Sequence, residues 1–186
     1  KDPEFIDTLK SFNADIFVVV AFRMLPEVVY SMPKMGTFNV HASLLPNYRG
    51  AAPIHHAVIN GEKETGVTTF FLNQEIDKGD IIRSKKVAIG DTETTGELYQ
   101  RLMTAGAELA VETLNAIEKG TAQRRKQEEI GILKPAPKIF KEDTHIFWND
   151  TAQNIFNKIR GLAPFPGSFS LIENHRGESF FIKWIE

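Results

Sequence analysis

Apolar residues at Phe5, Ile6, Leu9 and Phe12 recur at three- and four-residue spacing behind Pro3, which predicts a short amphipathic helix over residues 3–12. Residues 16–22, Ile16 to Phe22, are an unbroken apolar run and fit a strand buried on both faces of a parallel sheet. Pro26 opens a short helix over Val28, Val29 and Met32 that Pro33 closes. Residues 36–42 read as a second strand, and residues 53–59 as a helix stopped at Asn60-Gly61. Short helices and strands in alternation indicate an α/β domain.

Residues 66–72 and 81–89 are rich in β-forming side chains and flank a polar turn, so they are expected to pair as a hairpin-like unit. Thr94-x-x-Glu97 is a capping-box pattern, and Leu98, Leu102, Ala105, Leu109 and Ala116 behind it mark one face of the longest helix. Gly120 ends that helix. The chain then changes character, with the basic run Arg124-Arg125-Lys126 followed by Lys134-Pro135-Ala136-Pro137-Lys138, a linker by composition. Beyond it come an amphipathic helix over residues 151–162, the turn Pro164-Phe165-Pro166-Gly167, and strands over residues 168–172 and 180–185. This tail is too short to make a core of its own and reads as the first piece of a second domain. The expected division is residues 1–133, a linker at 134–142, and 143–186.

A hydrophobic content of 42%, with fourteen Phe, is enough for a core within 186 residues. The net charge of -2 carries no general footprint of a nucleic-acid binder, which leaves room only for a local basic patch. The absence of cysteine excludes disulfides and thiolate metal sites. No apolar run approaches the ~18 residues of a membrane span, so a cytoplasmic protein with no membrane partner is expected.

The chemistry concentrates in Asn39-Val40-His41-Ala42-Ser43-Leu44-Leu45-Pro46-Asn47-Tyr48-Arg49-Gly50. Asn39 and His41 are two apart, so on a strand they share a face. Glu75-Ile76-Asp77-Lys78-Gly79-Asp80 supplies carboxylates on a tight turn. Amide, imidazole and carboxylate are the set needed for acyl transfer to an amine: one holds the oxyanion, one handles the proton, one orients the ring and supports its charge. Taken singly each is bland. Asn-x-His on a strand is more often structural, Asp-x-Gly-Asp is usually a turn, and Ser43 could simply bond a neighbouring backbone group. His55 and His56 point about 100° apart on a helix and make no paired metal site.

With Arg49-Gly50-Ala51-Ala52-Pro53-Ile54, Glu64-Thr65-Gly66-Val67-Thr68, Ile76-Asp77-Lys78-Gly79-Asp80, Ala136-Pro137-Lys138-Ile139 and Arg160-Gly161-x-x-Pro164-x-Pro166-Gly167, these blocks resemble the 10-formyltetrahydrofolate-dependent formyltransferase family, most closely its branch acting on methionyl-tRNA. The resemblance covers nearly all of the chain. It implies a Rossmann-like formyltransferase domain whose front half precedes residue 1, followed by the beginning of a β-rich C-terminal, tRNA-binding domain. It also implies transfer of a formyl group to the α-amine of initiator methionyl-tRNA without a metal; the sequence does not fix the oligomeric state, and a monomer is the favoured expectation. Asn39, His41 and Asp77 match the family's catalytic triad, and Ser43, Leu44, Leu45 and Pro46 match the segment lining its folate site. The rival readings are an aminosugar-nucleotide formyltransferase, the purine-pathway formyltransferase, a formyl-folate hydrolase, and a non-catalytic folate- or RNA-binding module.

Overall fold

The computed structural model of the chain describes residues 2–20 and 24–184. Helix α1 (Pro3–Ser11) starts where Asp2 accepts the Glu4 N–H and Pro3 fits the first turn. Its apolar stripe is only partly covered: Ile6 and Leu9 are half-buried, whereas Phe5 and Phe12 are exposed. Strand β1 (Phe17–Val20) follows. Short helix α2 (Glu27–Tyr30) begins after Pro26 and ends two residues before Met32, earlier than the apolar spacing implies. Strand β2 (Thr37–His41) runs parallel to β1, helix α3 (Pro53–Ile59) ends at Asn60-Gly61, and β3 (Glu64–Phe71) and β4 (Ile81–Ala88) form an antiparallel pair. The sheet order is β1-β2-β3-β4, with β2 antiparallel to β3.

The expectation of a doubly buried first strand is corrected. Phe17 and Val19 are half-buried, but Val18 is 42% and Val20 64% exposed. Among the described residues β1 is the outermost strand, and the long helix α4 (Thr95–Glu118) packs mainly on β3 and β4, with fewer contacts to β2. Phe22, the end of the predicted run, lies outside the described residues. The capping box of α4 has both halves: Glu97 N–H donates to the Thr94 hydroxyl, and Thr94 N–H donates to the Glu97 carboxylate. Leu98, Leu102, Ala105 and Leu109 meet Ile54, Ala57 and Val58 of α3 and Val67 of β3 in the main core. Each such large side chain, fully buried, contributes about 1.5–3 kcal/mol. Gly106 lies over Val40, so α4 covers the sheet face carrying Phe38 and Val40. Alternation therefore turns Asn39 and His41 to the opposite face.

Helix α5 (Ala152–Leu162), although expected within the second unit, seals the flank of the first. Gly161 sits so close to Ile59 that a Cβ there would stand 2.5 Å from Ile59 Cγ1. Thr95 Oγ1 donates to the Gly161 carbonyl at 2.7 Å, and buried Arg160 donates to the Glu93 carbonyl at 2.9 Å. Only β5 (Ser168–Glu173) and β6 (Ser179–Trp184) form a separate two-stranded sheet. Ile185 lies outside the described residues. No helix among the described residues is long and apolar enough to cross a membrane.

Candidate active site

The register of β2 against β3 sets Asn39 opposite Phe70 and His41 opposite Thr68, so these four side chains share the face away from α4. His41 is 6% exposed. Its Nε2 lies 2.8 Å from the Tyr48 carbonyl oxygen. A carbonyl only accepts, so Nε2 carries a hydrogen and Nδ1 is the nitrogen that gains or loses a proton. Nδ1 faces Asp77 Oδ2 at 3.9 Å. The same carboxylate oxygen accepts the Gly50 N–H at 2.9 Å. Asn39 presents a buried Oδ1 with no hydrogen-bond partner among the described residues. The predicted amide, imidazole and carboxylate are thus brought together.

The carbonyl that holds His41 is itself held. Tyr48 has φ +60°, a conformation costing a bulky residue about 1–3 kcal/mol. Its N–H donates to the Lys134 carbonyl at 2.6 Å, and its buried phenol donates to Glu62 at 2.6 Å. Burial first, then that bond to Glu62, push the phenol well above its ordinary range, so it remains a donor. Burial works to raise the Glu62 carboxyl, but hydrogen bonds from Lys134 and Tyr48 outweigh it and hold the group below the usual carboxylate range.

Residues 134–138, a linker by composition, lie pinned along the site loop. The Ala136 N–H donates to Arg49 O at 2.8 Å, its carbonyl accepts the Ala52 N–H at 3.1 Å, and Ala136 is fully buried. Two prolines suppress helix and sheet in that segment without preventing it from packing.

The predicted folate-site loop behaves unevenly. Ser43 is fully buried and its hydroxyl donates to the Asn47 carbonyl at 2.7 Å, so its side chain shapes the loop. Leu45 packs with Phe70 and Ile81, whereas Leu44 and Pro46 are half-exposed. Thr68 holds this loop from below. Its hydroxyl donates to the Ser43 carbonyl at 2.7 Å and accepts the Leu45 N–H at 3.3 Å. In the sequence Thr68 is only the last residue of the Glu64-Thr65-Gly66-Val67-Thr68 motif. The signal that could have found it is its period-two spacing from Phe70 on a strand paired with β2.

The remaining candidates find structural work. His55 and His56 each donate from Nε2 to a carbonyl, of Phe165 at 3.1 Å and Pro137 at 2.9 Å. Arg124 stacks over the Phe71 ring at 3.9 Å, and Arg125 exchanges two backbone hydrogen bonds with Ile81. These contacts anchor the segment beside β3 and β4, while Arg124, Arg125 and Lys126 all remain exposed to solvent.

Residues 1–114 match the formyl transferase family, and residues 138–182 match the formyl transferase C-terminal domain. A methionyl-tRNA formyltransferase of Bacteroides fragilis is 50% identical over 189 residues, covering 100% of this chain and 58% of that protein. The methionyl-tRNA formyltransferase of Azobacteroides pseudotrichonymphae is 52% identical over 190 residues, covering 100% of this chain and 59% of that protein. Among solved structures, a sugar N-formyltransferase from Shewanella superposes with TM-score 0.77 at 22% identity, over 98% of this chain and 73% of that one. HypX from Aquifex aeolicus, solved with tetrahydrofolic acid, superposes with TM-score 0.76 at 20% identity, over 93% of this chain and 33% of that one. At these identities the solved structures share the fold. The chain spans 58% of the length of the Bacteroides relative, with a mixed α/β architecture and the start of a C-terminal unit. Since the family match extends through residue 114 of 186, this chain belongs to the formyl transferase family.

Proposed function

We propose that the protein transfers a formyl group from 10-formyltetrahydrofolate to the α-amine of methionyl-tRNA, with Asn39, His41 and Asp77 as catalytic residues. The observation that carries this reading is the approach of Asp77 Oδ2 to His41 Nδ1 at 3.9 Å, with Asn39 and its unpaired amide oxygen two residues from His41 on β2. Two relatives about half identical in sequence and named methionyl-tRNA formyltransferase support the acceptor.

The residues fit a folate donor. Leu44 and Pro46 offer half-exposed apolar surface, the loop backbone offers polar groups, and the orphaned Asn39 oxygen awaits an N–H. The donor brings an activated formyl carbon. As the amine adds to that carbon, its oxygen gains negative charge, which the Asn39 amide and a protonated His41 Nδ1 stabilise. Asp77 orients the imidazole and supports its positive charge. When the bond from carbon to the folate nitrogen breaks, the amine loses a proton and that nitrogen takes one, through His41, Asp77 or a water.

In this reading Ser43 to Pro46 line the donor site, Ser43 through its backbone. Residues 1–133 carry the chemistry, 134–142 connect, and 143–186 begin the unit that holds initiator tRNA. The setting is cytoplasmic translation initiation by a monomer. The rival acceptor is an amino-sugar nucleotide, as the name of the Shewanella neighbour suggests.

The test is transfer of labelled formyl from 10-formyltetrahydrofolate in the protein at its full natural length. Methionyl-tRNA, an amino-sugar nucleotide and water are offered in parallel, with His41→Ala as control. Label on methionyl-tRNA, lost in the variant, is expected. Label on the sugar overturns the acceptor, and no label anywhere leaves a binding module.

A second expectation concerns the loop. Thr68→Val removes the hydroxyl joining Ser43 and Leu45, at a cost of about 1–3 kcal/mol if the freed backbone groups stay unpaired. Steady-state kinetics should show a higher KM for the donor with kcat nearly unchanged. An unaltered donor KM counts against loop contact with the donor.

A further inference from the structure

Gln127 lies in the irregular segment after α4, fifty positions from Asp77, on no periodic pattern. Its Nε2 donates to the carbonyl oxygens of Asp77 at 2.7 Å and Gly79 at 2.9 Å. Its Oε1 accepts from Arg49 Nε at 3.1 Å and Nη2 at 2.6 Å. A primary amide has two N–H donors and two acceptor sites, and here all four are used. The orientation is unambiguous, because carbonyls only accept and guanidinium only donates.

The contacts close a ring. Gln127 grips the Asp77 main chain on one side and Arg49 on the other, and Gly50, next to Arg49, donates its N–H to the Asp77 carboxylate. Arg49 is braced further by Glu129 at 2.6 Å. The turn needs such a brace. Glu75, Ile76 and Lys78 are exposed, no helix or strand contains the turn, and Asp77 has φ +53°.

We infer that Gln127 is a positioning residue, setting where the Asp77 carboxylate stands against His41 Nδ1. This rests on the proposed role of Asp77 and extends it to a side chain outside the triad and outside every motif. Gln127 touches neither the imidazole nor the Asp77 carboxylate. It acts through the backbone that carries that carboxylate.

The experiment uses the protein at its full natural length and measures kcat, donor KM and Tm for the wild type, His41→Ala, Gln127→Met, Gln127→Glu, Arg49→Met and the Gln127→Met/Arg49→Met double variant. Gln127→Met keeps the length and removes all four hydrogen bonds. It is expected to lower kcat about 100-fold, the scale of an ångström-sized misplacement, and to leave donor KM near wild type. Gln127→Glu keeps an acceptor for Arg49 but offers no donor to the Asp77 and Gly79 carbonyls, so its loss should match that of Gln127→Met. The double variant should be no worse than Gln127→Met, because both changes open the same ring.

A merely structural role would lower Tm and the folded fraction without separating kcat from KM. Wild-type kcat in folded Gln127→Met or Gln127→Glu overturns the inference, as does a loss fully explained by unfolded protein. If His41→Ala is inactive while Gln127→Met is normal, only this inference falls. If the wild type and His41→Ala are equally active, or neither turns over, the reading of the site falls and takes this inference with it.

Discussion

Asp77→Asn is expected to lower formyl transfer by about 10²–10⁴-fold, the range that a positioned acid–base group supplies. The substitution is nearly isosteric. The amide oxygen it introduces can still accept the Gly50 N–H, which in the wild type lies 2.9 Å from Oδ2, so the turn and the donor pocket should survive. What disappears is the negative charge 3.9 Å from His41 Nδ1. His41 Nε2 is committed to the Tyr48 carbonyl, so only Nδ1, 3.9 Å from the Asp77 carboxylate, is left to carry the working proton. Without the carboxylate the positively charged ring loses its support at the moment negative charge develops on the substrate. The expected signature is a fall in kcat with donor KM held, since pocket contacts are unchanged. A loss of only severalfold would remove Asp77 from the catalytic set.

Gly50→Ala is expected to damage both stability and activity. Gly50 has φ +126°, which side-chain-bearing residues rarely adopt, and a Cβ there would stand 2.3 Å from the Ala136 carbonyl oxygen. Backbone strain costs about 1–3 kcal/mol, and overpacking against a fixed carbonyl costs about 1–3 kcal/mol more. Relief requires residues 134–137 to move away, which breaks the Ala136 hydrogen bonds to Arg49 and Ala52. The Gly50 N–H that fixes the Asp77 carboxylate moves too. Thermal melting should show Tm lowered by roughly 5–15 °C, and the folded remainder should be catalytically poor. A Tm within about two degrees of wild type would mean that the linker segment yields freely, against its reading as a fixed wall of the site.

The two variants probe different links. Asp77→Asn removes a charge and leaves the scaffold. Gly50→Ala deforms the scaffold and keeps the chemical identity of every functional side chain. Loss in both would tie turnover to where the carboxylate stands as well as to its presence.

Local patterns in the sequence determined the elements. Period-two spacing placed Asn39 and His41 on one face of β2, Thr94 and Glu97 announced the start of α4, Asn60-Gly61 ended α3, and the β-rich runs around the Asp77 turn paired as read. Motif resemblance singled out Asp77 from the neighbouring Glu75 and Asp80. These signals survive without tertiary context because each depends on residues a few positions apart.

Tertiary structure decided the rest. Among the described residues it left Val18 and Val20 of β1 exposed, with α4 centred on β3 and β4, and it turned the Ser43 hydroxyl inward to Asn47. It laid a proline-rich segment along the site loop, and it gave Gln127 the four hydrogen bonds that join the Asp77 turn to Arg49. The physical reason is common to all of these. Backbone carbonyls and N–H groups are the same at every residue, so a bond from a side chain to a distant main chain leaves no mark on composition or periodicity, and only the folded path of the chain selects its partner.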